Sequence, residues 1–398
     1  MKVCIYTHSF PPIIGGAQTY QYNIAGELAK RGHEVLVLTG FLPEGTRDEY
    51  KYEGFKVSRI ASFRDFSKLK APSNKFLEDT FFALKDFGPD IIYSNGYTQS
   101  LAISILKHGL NAKHVFSFHS TPEVSTQKIA GIWKGKLDLE TAFAKFIMKD
   151  TTFDAYIACS KHYLNFVKEH LFPEIEERKN VHQVYYGVNL NKFSFKKVAS
   201  RSKYGYRQED FIVLSPVRLI PRKGILDLLG AIKILKEKRA SLNIKLLIPS
   251  SALSTKMEFV KQVDAVIEDF NIKDSVRIEI DKFGIEEMPD LYGVSDVMVL
   301  PSYSEGLGIV SLEAMATKTP VIATGIPGVN EVVRHNETGL VVPIKNPKAI
   351  ADSIVKLRMD TKLRRRLIDN GYRLVDEEFS LHKQVDKIEL IFENLLKK

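Results

Sequence analysis

The sequence predicts an α/β protein built as two doubly wound parallel-sheet domains in tandem, and three observations predict it. Short apolar runs rich in β-branched residues alternate with longer helical patterns, the mark of parallel strands joined by crossover helices. The runs are nearly continuous rather than alternating apolar and polar, which is what burial of a sheet on both faces by helices produces. The whole plan then begins again near the middle of the chain.

In order, strand-like runs occur at residues 3–6, 35–39, 57–60 and 91–94, with helical patterns at about 19–31 and 75–87. A further run at 115–118 ends at His119, and another covers 155–159. After Tyr185-Tyr186-Gly187-Val188-Asn189 a polar, basic stretch continues to about residue 208, which sets a boundary near 190–200. The pattern restarts at 211–215 and proceeds through runs at 244–248, 276–280, 297–300 and 321–323. The domains expected are therefore 1–190 and 191–380, followed by a final helix over roughly 381–398.

With 398 residues, 44% hydrophobic and 26% charged, the chain is too long for one core and too apolar to be disordered. A lone small binding module is excluded. Lys and Arg number 57 against 48 Asp and Glu, a net charge of +9, so the surface favours anions such as phosphorylated ligands or acidic lipid. No compact basic stripe, zinc pattern or RNA-binding module accompanies that charge, and nucleic acid is not an expected partner. The two cysteines, Cys4 and Cys159, fall in strand-like runs and suggest neither a disulfide framework nor a metal site. With no signal-peptide-like stretch and no apolar run of about 18 residues, the expectation is a cytoplasmic protein, or one resting peripherally on the cytoplasmic membrane face.

The most informative segment is Pro301-Ser302-Tyr303-Ser304-Glu305-Gly306-Leu307-Gly308, which follows the run at 297–300 and leads into a helix carrying Glu313. Open backbone N–H groups at a helix start bind anions, and glycines let a ligand approach the main chain. The two acids of this Glu-x7-Glu segment would lie about 10 Å apart, a span suited to a ligand with hydroxyls at both ends and phosphates between. An arbitrary pair of acids here would read as a helix cap at Glu305 and a solvated face at Glu313; the neighbours favour ligand contact instead. Arg218 and Lys223 flank a Pro-containing turn after the run at 211–215, and both could reach one diphosphate. Arg222, between them, reads as a solvated turn residue. Gly15-Gly16 follows the first strand, where open α/β sheets make phosphate or substrate contacts, but a G-x-G-x-x-G fingerprint is absent there, which disfavours a simple dinucleotide oxidoreductase. His119, at the end of its strand, would face the crevice beyond the carboxyl ends of the strands.

These residues carry a resemblance over essentially the full length. The chain resembles retaining glycosyltransferase family 4, in Gly15-Gly16, Arg31-Gly32-His33-Glu34-Val35, His119, Asn189 after Gly187, Arg218 with Lys223-Gly224, the Glu305 to Glu313 segment, and Asn336-Glu337-Thr338-Gly339-Leu340. The resemblance implies the GT-B architecture, two tandem Rossmann-like domains facing a central cleft, with acceptor in 1–190, donor in 191–380, and residues 381–398 crossing back onto the first domain. It implies that Arg218 and Lys223 hold and neutralise the nucleotide diphosphate, that Glu313 accepts hydrogen bonds from the ribose, and that Glu305 with Gly306, Leu307 and Gly308 contacts the transferred sugar. His119 would lie near the reacting sugar, and Gly15 and Gly16 near the phosphates and acceptor.

The implied reaction moves a hexosyl group from a UDP- or GDP-linked sugar to a glycan, lipid-linked or small-molecule hydroxyl. Configuration would be retained, with no cofactor and no metal; an Asp-x-Asp cluster for Mg²⁺ or Mn²⁺ is also missing from the sequence. The alternatives are a non-catalytic binder of nucleotide sugars or nucleic acid, or another GT-B enzyme such as a sugar-nucleotide epimerase or a phosphorylase. Three departures from the family pattern leave base and sugar open: Val217 stands before Arg218, Leu247-Ile248 runs into Pro249-Ser250 where a glycine turn is usual, and the base-cradling segment has drifted to Ile280-Asp281-Lys282-Phe283-Gly284. Basic and aromatic residues mix at 63–70 and again at 128–149, around Trp133, and could rest on an anionic leaflet.

Overall fold

The computed structural model describes residues 1–11, 16–40, 52, 54–60, 62, 73–119, 153–173, 175, 180–194, 200–238, 242–251, 255 and 257–397. The chain divides into two compact units, Met1–Gly187 with Leu381–Lys398, and Val188–Ser380.

The first unit runs β1 (Lys2–Thr7), α1 (Gly16–Lys30), β2 (Glu34–Gly40), β3 (Lys56–Ile60), α2 (Asn74–Phe87), β4 (Ile91–Asn95), α3 (Tyr97–Leu106), β5 (Lys113–Phe118), β6 (Ala155–Ala158), α4 (Lys161–Phe166) and β7 (Val181–Gln183). Its strands form one parallel sheet in the order β3-β2-β1-β4-β5-β6-β7. Every residue of β4 and β6 is buried, as strands covered on both faces must be, whereas the edge strand β3 is mostly half-exposed. On α1 the buried apolar side chains are Tyr20, Ile24, Ala25 and Leu28, one helical stripe against the sheet. Ser73 caps α2 by accepting the N–H of Phe76, and Gly88, at φ 60°, ends it. The sequence-based helix and strand positions in this unit are met to within a few residues.

The second unit runs β8 (Phe211–Leu214), α5 (Ile225–Lys238), β9 (Ile244–Ser250), α6 (Met257–Asp269), β10 (Val276–Ile280), α7 (Met288–Val294), β11 (Val297–Leu300), α8 (Ile309–Ala316), β12 (Val321–Thr324), β13 (Leu340–Val342), α9 (Pro347–Met359) and α10 (Thr361–Glu378). Its parallel sheet has the order β10-β9-β8-β11-β12-β13. The strand-like run read at 244–248 extends further in the structure: β9 continues through Pro249 and Ser250, with Pro249 level with Glu279 of β10. Among the described residues no helix is long and apolar enough to cross a membrane.

The last helix, α11 (Leu381–Leu396), belongs to the first unit. Its buried residues Leu381, Val385, Ile388, Phe392 and Leu395 repeat at helical spacing, and Phe392 meets Tyr93 of β4 with ring centroids 5.6 Å apart. Polar contacts fix its register. Arg31 donates to Asp386 Oδ1 at 2.7 Å and to Glu389 Oε2 at 2.8 Å, and His33 Nε2 lies 2.6 Å from Glu389 Oε1. Arg31-Gly32-His33, a weak signal in the sequence, is thus a clasp for a helix more than 340 residues further along the chain. Gln384 Oε1 accepts the N–H of Gly187, where the chain leaves this unit.

Arg31→Ala is expected to lower the unit's stability by about 2 kcal/mol, the scale of hydrogen bonds to charged groups, and to expose residues 381–398 to proteolysis. An unchanged urea midpoint and cleavage pattern would show that apolar packing alone holds α11.

Candidate active site

A parallel sheet that is wound in both directions has one place where adjacent strands send their crossovers to opposite faces, and the loops leaving their carboxyl ends part to open a crevice. In the second unit that place lies between β8 and β11, whose register pairs Val213 with Val297 and Leu214 with Met298. The loop after β8 carries Arg218, Arg222 and Lys223; the loop after β11 carries Glu305 to Gly308.

These two loops are laced together. Gly224, at φ 66°, ends the short turn of Pro221–Lys223, and a Cβ there would stand 1.9 Å from the carbonyl oxygen of Pro301, so only glycine allows the approach. Arg222 donates to the carbonyl of Ser304 at 2.9 Å, and the N–H of Tyr303 returns to the carbonyl of Arg222 at 2.8 Å. Arg222 is therefore a brace between the loops, which corrects its reading as a solvated turn residue. The consequence is that Lys223 donates to Glu305 Oε1, an atom that also accepts from Ser302 Oγ at 2.7 Å. Both members of this ion pair are nearly buried, with 11% and 12% of the side chain exposed. Burial by itself would raise the Glu305 carboxyl, but the charges of Lys223 and Arg222 outweigh it and hold the group below the ordinary carboxylate range. Burial pushes Lys223 below its ordinary value, against the pull of Glu305.

Arg218 is half-buried beside this pair, and its guanidinium makes no hydrogen bond to a described residue. Burial, then the neighbouring Arg222, lowers its affinity for its proton, while Glu305 raises it. On the other side, Gly308 starts α8 in the left-handed region at φ 76°, with no side-chain cap on the helix N-terminus. Glu305 is thus not the helix cap. Leu307 is buried in the core and anchors the loop, and the buried Ser311 Oγ in the first turn has no partner among the described residues. A guanidinium without a hydrogen-bonded anion, a lysine and an open helix end together favour a ligand rich in negative charge.

Glu313 lies one turn further along α8, and its neighbour is Tyr292 of α7, whose hydroxyl donates to Glu313 Oε2 at 2.6 Å. Burial raises this carboxyl to about 7, with Tyr292 and then Lys192 acting in the opposite direction. It is no solvated face residue. Sequence reasoning missed Tyr292; its only signal was a tyrosine in the helix preceding the 297–300 run.

In the first unit the corresponding reversal is between β1 and β4, and a cavity of about 200 Å³ opens there, lined in part by Thr7, Ser9, Gln21, Asn95 and His119. His119 stands just past β5, with Nδ1 2.7 Å from the hydroxyl of Tyr186 and its ring against Tyr20 at 4.5 Å between centroids. Burial pushes its pKa down to about 3, so it is a neutral hydrogen-bonding group. His119 Nε2, Gln21 Oε1 and Asn95 Nδ2 are buried without partners among the described residues, an arrangement that suits a polar occupant. Gly16 is the exposed first residue of α1; Gly15 lies outside the described residues, as do 63–70 and 128–149. The predicted residues therefore fall into two groups: Arg218, Lys223 and Glu305 to Gly308 with Glu313 on one unit, Gly16 and His119 on the other. Among the described residues no three His, Cys, Asp or Glu side chains gather as a metal site.

Comparison with known proteins adds a family to this geometry. A model described as Glycosyltransferase Family 4 matches residues 14–192, and one described as Glycosyl transferases group 1 matches residues 196–374. An uncharacterised glycosyltransferase of Methanocaldococcus jannaschii is 27% identical over 401 residues, covering 96% of this chain and 95% of that one. Among solved structures, sucrose-phosphate synthase from Thermosynechococcus elongatus superimposes with a TM-score of 0.85 at 22% identity, covering 100% and 99% of the two chains. Anabaena HepE, solved in complex with UDP-glucose, has a TM-score of 0.79 at 18% identity, covering 99% and 100%.

Two outcomes follow from the electrostatics. Lys223→Ala leaves Glu305 buried without its countercharge and is expected to destabilise the second unit by about 3 kcal/mol, whereas Lys223→Met combined with Glu305→Gln recovers most of that loss; additive losses in urea titrations would show that the two do not act as a pair. Glu313 has a folded-state value above the ordinary one, so its contribution to stability is complete below the carboxylate range and is lost as pH rises through about 7. The ligand-free protein should melt at a lower temperature at pH 8 than at pH 6, and Glu313→Gln should flatten that slope.

Proposed function

We propose, since the chain belongs to glycosyltransferase family 4 and has the GT-B fold, that it transfers a hexosyl group from a nucleotide diphosphate sugar to an acceptor hydroxyl, with retention of configuration and without a metal ion. The observation that carries this reading is the half-buried Arg218 guanidinium, lacking a hydrogen-bonded partner among the described residues, beside the Lys223–Glu305 pair at the β8/β11 reversal. A diphosphate supplies the charge that Arg218 lacks: Arg218 takes it as a planar fork, Lys223 as a point charge, and the open end of α8 adds N–H donors.

In this reading the bond from the anomeric carbon to the β-phosphate oxygen breaks, and the acceptor hydroxyl oxygen attacks the same face. The hydroxyl proton passes to the departing diphosphate. The cations stabilise the charge that develops on that leaving group, the role a divalent metal fills in enzymes that need one. Glu305, held ionised, accepts from hydroxyls of the transferred sugar and orients it; Glu313 accepts from the ribose. Neutral His119, with Gln21 Oε1 and Asn95 Nδ2 lacking partners among the described residues, supports a hydroxyl-bearing acceptor or sugar at the cavity of the first unit. The UDP-glucose bound by HepE makes UDP the first nucleotide to try, with GDP next. Work at the cytoplasmic face of a membrane, on a glycan or lipid-linked acceptor, fits the basic surface.

Titration calorimetry of UDP, GDP and ADP in the presence of chelator tests the donor site: binding of one of them, with transfer from its sugar undiminished by chelator, is expected. Glu305→Gln should lower turnover by roughly 10²-fold while nucleotide still binds. Conversion of the donor without acceptor, or dependence on inorganic phosphate, would favour an epimerase or a phosphorylase; near-normal turnover of Glu305→Gln would remove the catalytic assignment.

A further inference from the structure

Tyr292 is fully buried in α7, and contacts with Thr319, Ser295 and Phe193 set its position. Its carbonyl accepts Thr319 Oγ1 at 2.8 Å and the N–H of Ser295 at 3.0 Å, and its ring meets Phe193 edge-on with centroids 6.0 Å apart. A phenol has one proton to donate, and here it goes to Glu313 Oε2. Burial, then the adjacent Glu313, keeps the phenol well above its ordinary value, so it acts as a fixed neutral donor. The other carboxylate oxygen, Oε1, accepts no hydrogen bond from a described residue. The remaining charge that acts on Glu313 is Lys192, from the segment preceding β8, and its Nζ is itself engaged by Glu286 at 2.6 Å.

Packing does not require the hydroxyl, because phenylalanine would fill the same volume. Nor does a half-buried carboxyl in an apolar setting need a donor to remain there, since it can protonate. What the hydroxyl does is fix the carboxylate plane and favour its ionised form. Building on the reading of Glu313 as the ribose acceptor, we propose that Tyr292 is the positioning residue of the nucleotide site: it occupies Oε2 so that Oε1 is presented to the ribose hydroxyls as a ready acceptor. Nucleotide binding and proton release are then linked, because ribose hydroxyls bind the carboxylate better than the acid.

The test measures UDP, GDP and ADP binding by calorimetry from about pH 6 to pH 9 on the wild-type protein, Tyr292→Phe and Glu313→Ala. For the nucleotide that binds, wild-type affinity should rise with pH through about 7. Tyr292→Phe should bind about tenfold more weakly at pH 7, with its rise displaced to higher pH because the lost donor no longer favours the carboxylate. In the absence of nucleotide, the pH at which the melting temperature falls should move upward in the same variant, a readout independent of ligand. A Tyr292→Phe protein that is less stable yet keeps the wild-type binding profile would make Tyr292 purely structural and overturn the proposal, with the donor site intact. Undiminished binding by Glu313→Ala would overturn the ribose reading itself, and the proposal with it.

Discussion

The loops that leave β8 and β11 diverge by topology, and the second unit depends on the buried ion pair that ties them, Lys223 with Glu305. Taking two charges out of water costs more than one contact returns unless further hydrogen bonds complete the shell. Here Ser302 Oγ supplies one of these, and the Arg222 brace to Ser304 holds the geometry. Gly224 makes the approach sterically possible. The result is a carboxylate held ionised in a nearly buried place, next to cations that exceed it in number. Such a site has surplus positive charge and little freedom to reorganise, the combination that stabilises a departing anion.

Glu305 and Glu313 begin as the same side chain on one short segment and end with opposite electrostatics. Cations surround the first and hold it below the ordinary carboxylate range; burial, outweighing Tyr292 and Lys192, raises the second to about 7. Environments that push two carboxyls apart in this way assign them different tasks. One serves as a permanent anion beside Lys223, and the other changes its protonation state within the physiological range. The cavity of the first unit holds neutral groups instead, with His119 held uncharged by burial and Gln21 Oε1 and Asn95 Nδ2 without partners among the described residues.

Much of the fold was legible because parallel strands buried on both faces must be continuously apolar, and runs such as 211–214, 297–300 and 321–324 have little else in them. The Glu-x7-Glu segment was legible for a local reason: strand, glycine loop and helix follow one another without interruption. Arg222 was misread because its partner, the carbonyl of Ser304, is 82 residues away and invisible to any local pattern. Tyr292 went unnoticed for the same reason, its value lying in a hydroxyl that meets a carboxylate 21 residues later. The run at 244–248 was read two residues short, because proline disfavours strand locally while pairing with β10 keeps Pro249 in β9.

By itself the sequence determined the α/β class, the division into two similar halves and the family, and it offered a set of candidate side chains, since hydrophobic periodicity and motif spacing are properties of neighbouring residues. The tertiary structure alone decided which of those side chains meet and in what state of charge. Whether Glu305 is paired, whether Glu313 is half-protonated near neutrality and whether His119 is neutral all depend on burial and on partners far along the chain. Those are quantities of three-dimensional environment, and no reading of local order contains them.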